Sequence, residues 1–185
     1  MADRATLEKV VRVLGKAGVR DFALTGGIAF GYWVEPRHTK DVDVAGLLSE
    51  PDAADVLLAG YDGIRSGPEP IPDLVRFRVG DWDVDLFVAK SEHARRAIER
   101  AVPVEIEAVN VRVVTAEDLI VHKFVKLRTD RHRVLQDLAD LRALVSIDGI
   151  DRAYIESWLD ADERAVLEAL ASEDDDTLLR RLTRR

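Results

Sequence analysis

The sequence predicts an α+β protein, with an α/β half over residues 1–114 followed by a helical portion over residues 115–185. Two observations carry this reading. Up to Val114, segments with the apolar spacing of a helix interleave with short runs that are apolar or alternate in strand fashion. From Thr115 onward the pattern is helical throughout. The chain is 185 residues long, enough for one domain with a full core or one domain plus a small helical appendage, so the halves can equally be one continuous fold.

Thr6 to Ala17 carries Leu7, Val10, Val11 and Leu14 at helical spacing, and Gly18 stops it. Phe22 to Leu24 is a short buried strand that breaks at Thr25-Gly26-Gly27, and Ile28 to Trp33 reads as a short helix ended by Pro36. Arg37 to Lys40 is a loop. Asp41 to Ala45 alternates acid with apolar residue, the period of a half-buried strand. Pro51 opens a helix through Ala59, and a Gly/Pro-rich connection runs from Gly60 to Pro72. Leu74–Val79 and Asp83–Ala89 form an antiparallel hairpin around Gly80-Asp81. Ser91 caps a helix to about Ala101, and Val104 to Val114 holds two β segments turning near Asn110. Thr115 and Asp118 form a capping box for a helix to about Arg128. Val134 to Leu144 is a second helix, with Leu135, Leu138, Leu141 and Leu144 on one face. Three more helices cover Tyr154–Trp158, Glu163–Ala171 and Thr177–Arg184, the last behind the acidic run Asp174–Asp176.

Composition narrows the function. Hydrophobic residues make up 47% of the chain and charged residues 34%, as in ordinary folded proteins. No apolar run reaches the length of about 18 residues that a spanning helix needs, and the N-terminus lacks an apolar signal core, so the expectation is a cytoplasmic protein without a membrane partner. The absence of cysteine excludes disulfides, thiolate metal sites and a cysteine nucleophile. A net charge of −8 argues against a generic nucleic-acid coat. A basic cluster from His122 to Arg133 within an acidic chain instead fits a phosphate-handling enzyme.

The chemistry concentrates in LTGGIAFGYWVEPRHTKDVDV, from Leu24 to Val44. Gly26 and Gly27 let backbone approach a polyphosphate closely. Asp41 and Asp43, two apart on a strand, point to one face and can hold a divalent ion. A two-metal phosphoryl-transfer site wants a third carboxylate from a neighbouring strand. DWDVDLFVA offers Asp81, Asp83 and Asp85 with one parity. Asp85 is preferred because Leu86-Phe87-Val88 follows it, and a carboxylate inside an apolar strand needs a partner or a metal. Asp83 is the reserve, and Asp81 belongs to the turn. Arg37 and Lys40 adjoin the acids and are candidate phosphate contacts. Trp33, Trp82 and Trp158 are read as core.

This order (strand, glycine pair, short helix, Asp-x-Asp, later acid) resembles the nucleotidyltransferase superfamily related to DNA polymerase β. Within it, LTGGIAFGYW followed by PRHTKDVDV is similar to the minimal bacterial nucleotidyltransferases of the AbiEii toxin-like group. Their Arg-x-Thr-x-Asp-x-Asp segment is matched by Arg37, Thr39, Asp41 and Asp43. Their later helix with a lysine and an Asp-x-x-Asp is matched by Lys123, Asp137 and Asp140.

The resemblance covers about residues 20 to 145. It implies the nucleotidyltransferase fold, a mixed β-sheet flanked by helices with a C-terminal helical portion. It implies Mg²⁺-dependent transfer of an NMP from an NTP to an acceptor hydroxyl, two Mg²⁺ ions on Asp41, Asp43 and Asp85, and a triphosphate contact from Lys123. It further implies a toxin acting on tRNA, with a cognate antitoxin as partner. The alternatives are a small-molecule acceptor of aminoglycoside type, AMP transfer to a protein, and a non-catalytic nucleotide-binding partner. One position departs from the superfamily: Ile28 stands where many members have Ser or Thr, and Thr25 before the pair is the candidate replacement. Asp137 and Asp140 fit either orientation of basic residues such as Lys123 or Arg128, or plain solvent-facing positions.

Overall fold

A computed structural model of the chain describes residues 2–36, 38–48, 74–129 and 133–183. The helix expected over Pro51–Ala59, the connection from Gly60 to Pro72, Arg37, Arg131 and His132 lie outside the described residues. The chain divides into two compact units, Met1–Thr115 and Ala116–Arg185.

Among the described residues, the first unit is built on a six-stranded mixed sheet in the order β3-β4-β2-β1-β6-β5. Its elements are α1 (Arg4–Lys16), β1 (Val19–Leu24), α2 (Gly26–Trp33), β2 (Asp41–Leu48), β3 (Leu74–Val79), β4 (Trp82–Val88), α3 (Glu92–Arg100), β5 (Val102–Ile106) and β6 (Val109–Val113). Asp3 caps α1 by accepting the Thr6 N–H, and Leu7, Val10, Val13 and Leu14 form its buried stripe. Ser91 caps α3 in the same way, through the Ala94 N–H. Ile98 of that helix packs with Ala45 and Ala89, fastening α3 to the sheet beside β2.

β2 pairs antiparallel with β1 on one side and parallel with β4 on the other. β3 and β4 are the expected hairpin, turning at Gly80-Asp81 with Gly80 at φ +65°. β2 runs three residues past the expected Ala45, because Gly46 lets Leu86 and Val19 close over it: a Cβ there would meet Leu86 Cδ1 at 2.8 Å.

The β5–β6 turn differs from expectation. It falls at Glu107-Ala108, both at positive φ (49° and 60°), and not near Asn110. Asparagine favours turns locally, but the apolar alternation decides the register. Ile106 pairs with Val109, Val104 with Val111 and Val102 with Val113, which leaves Asn110 in the strand opposite Glu105. Pro103 is accommodated because β5 lies at the sheet edge.

The second unit is helical: α4 (Ala116–Thr129), α5 (Val134–Val145), α6 (Arg152–Trp158), α7 (Ala161–Ala169) and α8 (Asp175–Thr183). Leu138, Leu141 and Leu144 are fully buried on α5, whereas Leu135 is 59% exposed and so leaves the expected apolar face. Two buried acids tie the helices together. Asp118 on α4 accepts the Tyr154 hydroxyl of α6 at 2.6 Å, and Glu163 on α7 is bonded by Arg128 of α4. Glu163 also completes a capping box with Asp160. Among the described residues, no helix is long and apolar enough to cross a membrane. Trp33, Trp82 and Trp158 are half-buried and not the core residues expected.

Candidate functional site

The acids gather at one end of the first unit's sheet, where β1 finishes and β2 and β4 begin. The parallel register sets Asp41 beside Asp83 and Asp43 beside Asp85, so all four carboxylates share one face. Carboxylate oxygens of Asp41, Asp43 and Asp85 lie within 4.8 Å of one another. At that spacing each pair of like charges repels by about 3 kcal/mol at an effective dielectric of about 20, less where water reaches Asp41. Hydrophobic neighbours close the site from behind: Val42, Val44, Val84 and Leu86 point to the opposite face and are fully buried.

The glycine turn is fitted to Asp43. The Thr25 N–H donates to the Asp43 carbonyl at 2.9 Å, and the Gly27 N–H points at Asp43 Oδ2 at 3.4 Å. A Cβ on Gly26 would lie 1.9 Å from Asp43 Oδ2, and Gly26 holds φ +56°. Glycine at 26 therefore serves both backbone conformation and room for a carboxylate. The N-terminus of α2, with its partial positive charge, thus opens directly onto Asp43. Thr25 is the N-cap residue of α2, is buried, and makes no side-chain cap bond. Ile28 is buried with 1% exposure and is part of the core. Trp33 anchors the other end of α2 by donating Nε1–H to the Val114 carbonyl at 2.8 Å.

Thr39 packs its methyl against Gly27, where a Cβ would meet it at 2.5 Å, so the loop before Asp41 lies on the glycine turn. The Thr39 hydroxyl is buried without a hydrogen-bond partner among the described residues. Lys40 beside it is exposed.

Asp85 is 5% exposed, and Arg76 on β3 grips it with a two-pronged contact: Nε to Oδ1 and Nη2 to Oδ2, each 2.6 Å. That bond, with the fields of Asp85, Asp83 and Asp41, raises the guanidinium's proton affinity above its ordinary value against the opposing effect of burial. Arg78 reaches Asp83 by one 3.2 Å contact between exposed side chains. Sequence reasoning missed Arg76, although the signal was available. A two-residue turn at Gly80-Asp81 pairs Val79 with Trp82, and counting back sets Arg76 opposite Asp85.

Lys123 lies on α4 of the second unit. Its ammonium is bonded to Asp137 at 2.8 Å and to Asp140 at 2.5 Å, and all three side chains are nearly buried. Of the two readings of Asp137 and Asp140, the orientation of a basic residue is the one observed. Both take up Lys123, while Arg128 goes to Glu163.

The donor set at Asp41, Asp43 and Asp85 is all carboxylate oxygen. That composition fits a hard divalent cation of the Mg²⁺ type better than a softer transition metal.

Comparison with known proteins agrees with this chemistry. A family model described as "Nucleotidyl transferase AbiEii toxin, Type IV TA system" matches residues 16–184. No curated protein matches the chain. Among solved structures, an antigenic nucleotidyltransferase-like protein from Paracoccidioides brasiliensis is similar at a TM-score of 0.54 and 16% identity, over 97% of this chain and 93% of its own. ANT(2″)-Ia, solved with adenylyl-2″-tobramycin, is similar at a TM-score of 0.55 and 14% identity, over 91% of this chain and 98% of its own. At such identities these likenesses speak to the fold, the mixed-sheet nucleotidyltransferase fold, and the family match speaks to the class. The chain belongs to the AbiEii nucleotidyltransferase family, and it is a nucleotidyltransferase.

Proposed function

We propose that the chain is the toxin of a toxin–antitoxin pair. In this reading it transfers an NMP from an NTP to a hydroxyl of tRNA in the cytoplasm and releases pyrophosphate. The observation that carries the reading is the convergence of Asp41, Asp43 and Asp85 beside the Gly26-Gly27 turn. The family description supports the toxin role and the antitoxin partner.

Asp41, Asp43 and Asp85 are the residues that would hold Mg²⁺, with room in the donor count for two ions. When bound, Mg²⁺ supplies charge neutralisation at the phosphates and acidifies the attacking hydroxyl. Backbone N–H groups at Gly26 and Gly27, at the start of α2, bind the β and γ phosphates, with Thr25 beside them. Arg37 and Lys40 contribute positive charge to the triphosphate. A remaining lone pair on Asp85 receives the hydroxyl proton as the acceptor oxygen bonds to Pα and the bond from Pα to the pyrophosphate oxygen breaks. Positioning and charge stabilisation carry most of the rate in such a reaction.

The test is incubation with each α-³²P NTP, Mg²⁺ and separate tRNA, protein and small-molecule pools. Label on tRNA, lost in Asp43→Ala, is expected. Label on a small molecule or a protein would reassign the acceptor, and no label in any pool would overturn the reading.

A further inference from the structure

β4 lies between β3 and β2, so Asp85 is approached from two flanks. From the β3 flank comes the Arg76 fork, with both contacts at 2.6 Å. From the β2 flank come Asp41 and Asp43. A carboxylate has about four lone-pair sites, and the fork takes one on each oxygen, leaving one on each for the other flank. Repulsion from Asp41 and Asp43 tends to turn Asp85 away from them, and with Asp85 only 5% exposed solvent screens that repulsion little. A bidentate guanidinium resists that rotation, which a point charge does not. Arg78 offers no such hold on Asp83: its contact is single, and the side chains are 60% and 48% exposed.

We propose that Arg76 is a positioning residue for the metal site, remaining bound to Asp85 on the β3 flank while a divalent cation is taken on the β2 flank. The proposal rests on the reading of Asp41, Asp43 and Asp85 as metal ligands. Two effects of Arg76 oppose each other, and they are separable. Its charge disfavours a nearby cation, whereas its fork pre-orients a ligand. Arg76→Lys keeps the charge and loses the fork; Arg76→Met loses both.

The experiment is a Mn²⁺ titration followed by electron paramagnetic resonance, on the full chain and on Arg76→Lys, Arg76→Met and Arg78→Met. Wild-type protein binds Mn²⁺. Both Arg76 variants weaken binding by about tenfold, the usual size of a loss when the group orienting a ligand is removed. Arg78→Met stays within about twofold of wild type. Wild-type affinity in Arg76→Lys, or tighter binding in Arg76→Met, overturns the proposal in favour of a charge role alone. Wild-type protein that binds no Mn²⁺ overturns the metal-site reading itself, and the proposal with it. Thermal melts accompany each variant; should Arg76→Met fail to fold, Arg76→Lys decides.

Discussion

Two clusters of acid and base, one in each unit, solve different problems. On the helices of the second unit, Asp137 and Asp140 both turn to Lys123, so the acids converge on a cation supplied by the chain. On the sheet of the first unit, Asp41, Asp43 and Asp85 converge on one another, and Arg76, a cation of the chain, grips Asp85 from the far flank. The first arrangement sets both carboxylates on one ammonium of the chain and ties α4 to α5. The second leaves like charges facing each other, which is tolerable when an outside cation completes it. Residue type alone does not separate the two clusters; the direction in which the oxygens point does, and so does the greater exposure of Arg76 and Asp41 beside the nearly buried Lys123, Asp137 and Asp140.

Asp43→Asn removes one of the convergent oxygens, and activity should fall by about 10³-fold with the melting temperature held or raised, since repulsion is relieved. An initial-rate assay beside a thermal melt checks both parts. Lys123→Met should act the other way round. It strands two nearly buried carboxylates and should lower stability by about 3–5 kcal/mol, measured by urea denaturation. Equal stability loss in the two variants would erase the contrast.

Gly26→Ala sharpens the sheet side. Its Cβ would enter the Asp43 carboxylate, so a displaced ligand should cost about 10²-fold in rate. Gly80→Ala also takes a residue at positive φ, but its Cβ meets no atom closer than Lys9 Nζ at 4.0 Å. It should cost about 1–2 kcal/mol of stability and little activity. The smallest effect is expected from Asp160→Ala, where loss of the α7 cap should cost about 1 kcal/mol, read from the same denaturation curves.

The two clusters also differed in how much the sequence revealed. On the sheet, parity did the work. Asp41, Asp43, Asp83 and Asp85 have the spacing that shares a face, and the apolar run after Asp85 marked it as the interior member. The register then sets Asp85 beside Asp43. The reach of Arg76 across a hairpin was also readable, but required committing to the turn residues. The β5–β6 turn shows the hazard of that step, since the local preference of Asn110 lost to the cross-strand pairing of valines and Ile106. On the helices, i to i+3 spacing places Asp137 and Asp140 together, yet periodicity on one helix carries no information about which residue of another helix they meet. Lys123 or Arg128 fitted equally well until the packing of α4 on α5 was known.

If the convergent acids of the sheet carry nucleotidyl transfer, the position of the label in the NTP decides where it travels. With acceptor present, label from α-³²P NTP should appear on the acceptor, label from γ-³²P NTP should leave as pyrophosphate, and Asp43→Asn should slow the transfer by about 10³-fold. Transfer of the γ label, or undiminished transfer of the α label by Asp43→Asn, would contradict the account.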